Sequence, residues 1–279
     1  MAVTLEQLHL ATQYPYGPPH ESFLFVNGDA HTIVEPGVDP LVDAVVRVDG
    51  QMLRASEALC ELGAAATPGM AERTPVLSYG SNTSPYGIDR KYRAVYSAGP
   101  LVIPAIACDL AGHDVVYSPH FSCWGTVPAT ITTSPGATAP LTVLYLTPDQ
   151  LQLMHDIEYG PAPARAGNYV AGRLAEIDLR LDGGCQLSEV STYVSHYGVL
   201  ALEQRRVALT ALRTRGRRLN HMTGSELLGV LLGAIAPRSS RDEFLARLIA
   251  ERAFRRVCTA RLVETALAVD LPSFIEEAV

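Results

Sequence analysis

Tyr79-Gly80-Ser81-Asn82 stands where the apolar run Val76-Leu77-Ser78-Tyr79 meets a glycine. A glycine there permits tight backbone geometry, and successive N–H groups can converge on an anion or oxyanion. An ordinary strand–turn uses the same residue types, so the run alone leaves both readings open. Glu158 is the second candidate for chemistry. Thr147 suits an N-cap, Pro148 the first helical position and Gln150 a capping box, so a helix is predicted from Pro148 to about Ile157. Leu151, Met154, Ile157 and Glu158 then fall on one side of it. A carboxylate ending a core-facing stripe is costly to bury unpaired, and desolvation would let it hold a proton nearer neutrality, as a general acid/base must. A frayed last turn that puts Glu158 in solvent is the equal alternative.

Other polar residues carry weaker signals. Ser81 lacks the GxSxG surroundings of an activated nucleophile, which favours a hydrogen-bonding role. His113, His120, Cys123 and His155 match no standard metal-ligand spacing, so no metal site is expected. Trp124 suits a pocket wall or a core equally. Arg165 has the guanidinium geometry to bind a substrate carboxylate, although a surface loop is the commoner place for such a residue.

The elements that must position these residues are strands first and helices later. Phe23–Val26 and Thr32–Val34 flank Asn27-Gly28-Asp29, a hairpin signal. A helical run around Leu53–Leu62 precedes a linker over Ala64–Arg73. Val102–Leu110 and Asp114–Tyr117 are expected to pair around Gly112. Ala129–Ile131 and Leu141–Leu146 are expected to flank a turn at Ser134-Pro135-Gly136. Tyr169–Leu181 and Val190–Ser195 flank Asp182-Gly183-Gly184. Beyond residue 198 helices are expected at Leu200–Arg213, Gly224–Ile235, Arg241–Phe254 and Thr259–Val269. Strands followed by helices argue an α+β fold. The boundaries expected are a hairpin-bearing extension over 1–73, a core over 74–198 and a helical tail over 199–279 packed on it.

Composition excludes several classes. The chain has 279 residues, 48% hydrophobic and 18% charged, which suits a globular protein and not a disordered one. Its net charge is −7. The basic residues of the tail alternate with acids, so a solvated helical face is favoured over a nucleic-acid partner. Lys91 is the only lysine. Five widely spaced cysteines without a CxxC pair signal neither a disulfide framework nor zinc. No signal peptide and no run of about 20 apolar residues is visible, so a soluble, cytoplasmic protein without a membrane partner is expected. A homo-oligomer is compatible with this reading.

The order of segments resembles the γ-glutamyl cyclotransferase-like superfamily. The resemblance rests on the Tyr79-Gly80-Ser81-Asn82 run, on Trp124-Gly125-Thr126-Val127-Pro128-Ala129-Thr130-Ile131, and on Leu144–Leu151. It continues through Met154-His155-Asp156-Ile157-Glu158, Tyr169-Val170 and Ser191–Ser195, and so covers about 75–197. It implies a small mixed β-barrel with Glu158 as general acid/base, and Tyr79, Gly80, Ser81, Asn82 and Tyr169 around a small-molecule substrate. It implies attack of a substrate α-amine on its own γ-amide carbonyl, releasing 5-oxoproline and an amine, with no cofactor. The chain departs from the family in the 75 residues before the motif, in Thr83 after the asparagine, and in Tyr159 after the glutamate. Hydrolysis by water is the alternative on the same scaffold, as the similar domain attached to allophanate hydrolases suggests. A non-catalytic ligand-binding protein is the second alternative.

Overall fold

A computed structural model describes residues 3–17, 21–93, 95–97, 99–159 and 167–277. The chain opens with α1 (Leu5–Thr12), started by a reciprocal Thr4–Gln7 capping box. The hairpin expected from Asn27-Gly28 is formed by β1 (Phe23–Val26) and β2 (Asp29–Glu35); both turn residues take positive φ. A second hairpin, β3 (Val45–Val48) and β4 (Gln51–Arg54), leads into α2 (Ala55–Glu61). Next, β5 (Thr74–Ser78) runs into a 3-10 turn over Gly80–Thr83 and then α3 (Pro85–Tyr92), which has proline in its first turn. The long strands β6 (Val102–Tyr117) and β7 (Ala129–Leu146) precede α4 (Pro148–Glu158), β8 (Tyr169–Leu181) and β9 (Gln186–Ser195). The chain ends with β10 (Ala201–Leu202), β11 (Arg205–Leu209), β12 (Asn220–Met222), α5 (Gly224–Ile235), α6 (Arg241–Ala250), α7 (Arg252–Val263) and β13 (Phe274–Glu276).

Five of these strands close on themselves. β8 pairs with β9, β9 with β5, β5 with β7, β7 with β6, and β6 returns to β8. The β5–β9 pair is parallel and the others are antiparallel, which makes a small mixed barrel. The fold is therefore α+β with a closed barrel at its centre. Alternation sorts the side chains. Leu77 and Val143 join the larger core, whereas their neighbours Val76 and Leu144 join a second cluster with Ile88 and Tyr92 of α3 and Met154 of α4. That second cluster fixes α3 and α4 to the barrel wall.

The structure corrects three expectations that bear on the strand pattern. Val102–Leu110 and Asp114–Tyr117 do not pair with each other; they are one strand, β6. Likewise Ser134-Pro135-Gly136 is not a hairpin turn but a bulge inside β7. Ala111 faces Thr138 and His113 faces Thr133, so residues 134–137 stand against Gly112 alone. Gly112 and Gly136 take the positive φ that this bend needs. The wide side of the bulge is used by the returning chain, where the Arg215 and Thr138 backbones exchange hydrogen bonds of 2.9 Å.

The third correction concerns Leu200–Arg213, which forms β10 and β11 and not a helix. Glu203 and Gln204 both take positive φ and make a tight hairpin turn, and Ala208 of β11 pairs with Val116 of β6. The spacing Leu200, Leu202, Val207, Leu209 satisfies either period, and pairing with an existing strand decided it. α5 starts and ends where expected. The next helix ends at Ala250, Glu251 breaks it, and α7 runs over Arg252–Val263 ahead of the expected Thr259–Val269. The expected helix around Leu53–Leu62 starts later, at Ala55, because Gln51–Arg54 is a strand. Leu227, Leu228 and Leu231 of α5 and Phe244, Leu245 and Leu248 of α6 lie in the larger core with the barrel residues.

Candidate active site

The site is built where the last turns of α3 and α4 meet the turn after β5. The 3-10 turn starts with Tyr79 as N-cap, which supplies no side chain to the first N–H groups of the turn. Gly80 has φ +79°, and a Cβ there would overlap the hydroxyl of Tyr14. Gly87 of α3 packs against the carbonyl of Ser81 in the same way. These two close approaches press the Gly80–Thr83 turn between the N-terminal segment and α3. Thr83, buried, donates from Oγ1 to the Gly80 carbonyl at 2.6 Å.

α4 begins on the Thr147–Gln150 capping box read from sequence and ends at Glu158. The Glu158 carboxylate is neither frayed into solvent nor desolvated among aliphatic groups. Its Oε1 accepts from Asn82 Nδ2 at 3.2 Å and from the Lys91 ammonium, which also donates to Asn82 Oδ1. The expected apolar surroundings at Leu151 and Met154 are thus replaced by a cation, and Ile157 is 41% exposed and not core-facing. Glu158 Oε2 has no hydrogen-bond partner among the described residues. Cations belong at a helix C-terminus, and Lys91 sits in the last turn of α3.

A cavity of about 160 Å³ opens beside this trio. A void of ~150 Å³ holds a guest the size of benzene, so this one suits a small molecule or one end of a longer one. Tyr79, Ser81, Asn82, Glu158, Tyr169 and Trp124 all line it. Gly80 does not; it shapes the turn from behind. Arg165 lies outside the described residues. The Tyr79 hydroxyl donates to the Tyr193 carbonyl, and that of Tyr169 to the Ala129 carbonyl at 2.8 Å. Their rings therefore form wall, while their hydroxyls are already engaged. Ser78, also in the wall, is buried, and its Oγ has no partner among the described residues.

Sequence reasoning missed much of the lining. Tyr14 and Tyr16 come from the N-terminal segment, Arg90 and Lys91 from α3, and His120 from the β6–β7 connection. The Tyr14 hydroxyl accepts the Ala129 N–H at 2.9 Å. Burial raises the hydroxyls of Tyr14, Tyr79 and Tyr169 above the usual phenol range, so all three stay neutral. Burial also pushes the His120 imidazole down to about 3; it is neutral, with Nδ1 2.7 Å from Ser118 Oγ. Ser84-Pro85 is a legible helix start, and reading it would have placed Arg90 and Lys91 on a helix directly after the turn.

No protein-family profile and no curated protein matches the chain. Among solved structures it is similar to one described as a gamma-glutamyl cyclotransferase. That likeness has 19% identity and a TM-score of 0.33, and covers 44% of this chain and 67% of the other. A second, an uncharacterized protein from Homo sapiens, is similar at 18% identity and a TM-score of 0.34, over the same shares of each chain. Among the described residues no helix is long and apolar enough to cross a membrane.

Proposed function

We propose that the chain is an enzyme that cleaves an amide of a small γ-glutamyl-type molecule by intramolecular cyclotransfer, with Glu158 as general acid/base. The observation that carries the reading is the hydrogen bond from Asn82 to Glu158 at the cavity wall, which joins two motifs 76 residues apart. Oε1 is held by Asn82 and Lys91, and Oε2 is left to take a proton. In the reaction Oε2 accepts a proton from the substrate's α-ammonium. The freed amine attacks the γ-carbonyl carbon to give a tetrahedral oxyanion. As that intermediate collapses the C–N bond breaks, Glu158 returns the proton to the departing nitrogen, and the surplus proton of the new ring nitrogen passes to the same nitrogen, which leaves as an ammonium. The products are 5-oxoproline and an amine, and atoms and charge balance without a co-reactant. The uncapped N–H groups that open the Gly80–Thr83 turn are the donors suited to the oxyanion. The unpartnered Ser78 hydroxyl suits a polar ligand atom. Hydrolysis differs only in replacing the internal amine with water.

The test is a panel of γ-glutamyl amides assayed for 5-oxoproline, glutamate and free amine. Release of 5-oxoproline supports cyclotransfer, and glutamate in its place would move the reading to hydrolysis. Glu158→Gln preserves size and the Asn82 contact but cannot carry the proton, so a loss of ~10²–10⁴-fold in kcat is expected. Turnover within threefold of wild type in a folded Gln variant would remove Glu158 from the mechanism.

A further inference from the structure

The same cavity has a second cation, Arg90, which has no counter-charge among the described residues. Arg90 lies on α3 beside Lys91, but its guanidinium meets different neighbours. Its Cζ lies over the Trp124 ring at 4.1 Å, the Tyr16 ring at 4.9 Å and the Tyr86 ring at 5.7 Å. Its single hydrogen bond among the described residues is Nη1 to Tyr16 Oη, at 3.4 Å. No carboxylate of the described residues pairs with it, whereas Lys91 is already paired with Glu158. A guanidinium has five N–H donors, and most of these are unused. Trp124 is 38% exposed and Tyr86 42%, which places the cluster towards the mouth of the cavity. Three rings that hold a half-buried guanidinium by cation–π attraction restrict its freedom before a ligand arrives.

We propose that Arg90, positioned by Tyr16, Tyr86 and Trp124, is a subsite that binds a carboxylate on the part of the ligand nearest the cavity mouth. With Lys91 and Glu158 cancelling, Arg90 leaves the described lining with an excess positive charge that a carboxylate neutralises. The planar fork matches a carboxylate in two-point fashion, which neither a neutral amide nor an alkyl group can reproduce. This assignment rests on the reading of the cavity as a substrate pocket. The γ-glutamyl α-carboxylate shares a carbon with the amine that must reach Glu158, so the carboxylate at the mouth is assigned to the departing portion of the substrate, which the cleavage chemistry does not require to be acidic.

Trp124 is the only tryptophan of the chain, so its emission reports this subsite directly. The experiment titrates γ-glutamylglycine and its C-terminal amide into folded Glu158→Gln/Lys91→Met protein, in which both charges of that pair are removed together so that Arg90 stays the excess cation, by Trp124 fluorescence and by calorimetry. The acid is expected to bind roughly 10–100-fold more tightly than the amide, the worth of a charge-assisted pair. Arg90→Met should remove that preference and Arg90→Lys should retain part of it, both read by calorimetry. Equal affinities for acid and amide, no binding of either, or a preference intact in folded Arg90→Met protein would overturn the proposal. Binding that depends on Arg90, with no 5-oxoproline or glutamate from wild-type protein, would leave the subsite standing and remove the cleavage reaction.

Discussion

Gly80 carries two constraints, and both act against a side chain. Its φ of +79° lies in the left-handed region, and a Cβ would overlap the Tyr14 hydroxyl. Gly80→Ala is therefore expected to cost on the order of 1–3 kcal/mol in urea unfolding and to lower turnover through displacement of Asn82. An alanine variant as stable and active as wild type would show that this approach is not needed. His120 gives a different prediction, about pH. Its imidazole is neutral in the fold, with its proton affinity pushed down to about 3, while in the unfolded chain it protonates near 6.5. The unfolded state therefore binds more protons between these values. Stability from this group is complete above about pH 6.5 and is lost progressively as pH falls towards 3. Unfolding free energies at pH 7, 5 and 4 should fall less steeply in His120→Gln than in wild type; parallel slopes would remove His120 as a cause.

Among elements, the ties between β6 and the returning C-terminal chain rank clearly by burial. Asp114 is fully buried in β6 and accepts Arg217 Nε and Nη2 at 2.8 Å each, together with Thr214 Oγ1 at 2.7 Å. The Arg217 side chain is only 9% exposed. Asp114→Ala leaves a buried guanidinium without its anion, and about 3–5 kcal/mol should be lost. The Arg215–Asp109 pair ties the same chain to the same strand, but its side chains are 63% and 41% exposed. Arg215→Ala should cost at most about 1 kcal/mol, since solvent screens such a pair. Similar losses for the two variants would show that the bulge of β7, and not the buried ion pair, anchors this segment.

For the whole molecule, both ends of the chain are parts of the barrel's surroundings and not appendages. Tyr14 and Tyr16 reach the cavity from the N-terminal segment, where Tyr16 also accepts from Ser84 Oγ at 2.8 Å through its carbonyl. The C-terminal helices share the larger core, and β11 and β13 extend the sheet at β6 and β8. A chain ending at residue 198 exposes the apolar side chains that α5 and α6 cover, so insoluble or strongly destabilised protein is expected. A soluble 1–198 fragment with the wild-type melting temperature would show that those contacts contribute little.

The sequence by itself determined the local features whose signals are local. The Asn27-Gly28 turn, the Thr147–Gln150 box and the helix that it starts, and the Asp182-Gly183-Gly184 connection depend on neighbouring residues and φ preferences. The residue types of the Tyr79–Asn82 run and of Glu158 were visible for the same reason. Tertiary structure decided what those residues face. Gly112 and Ser134–Gly136 carry the same turn residues as a hairpin, and only the partner strand made them a bulge. Leu200–Arg213 fits two periods, and the free edge of β6 selected the strand. The surroundings of Glu158 were misread because α4 gives only its own stripe. The cation beside it comes from α3, and α3 lies there because Gly87 packs on Ser81 and Ile88 and Tyr92 share a core with Met154. Local preferences act within a few residues along the chain, whereas the charge that a side chain meets is set by whichever distant element closes the barrel wall beside it.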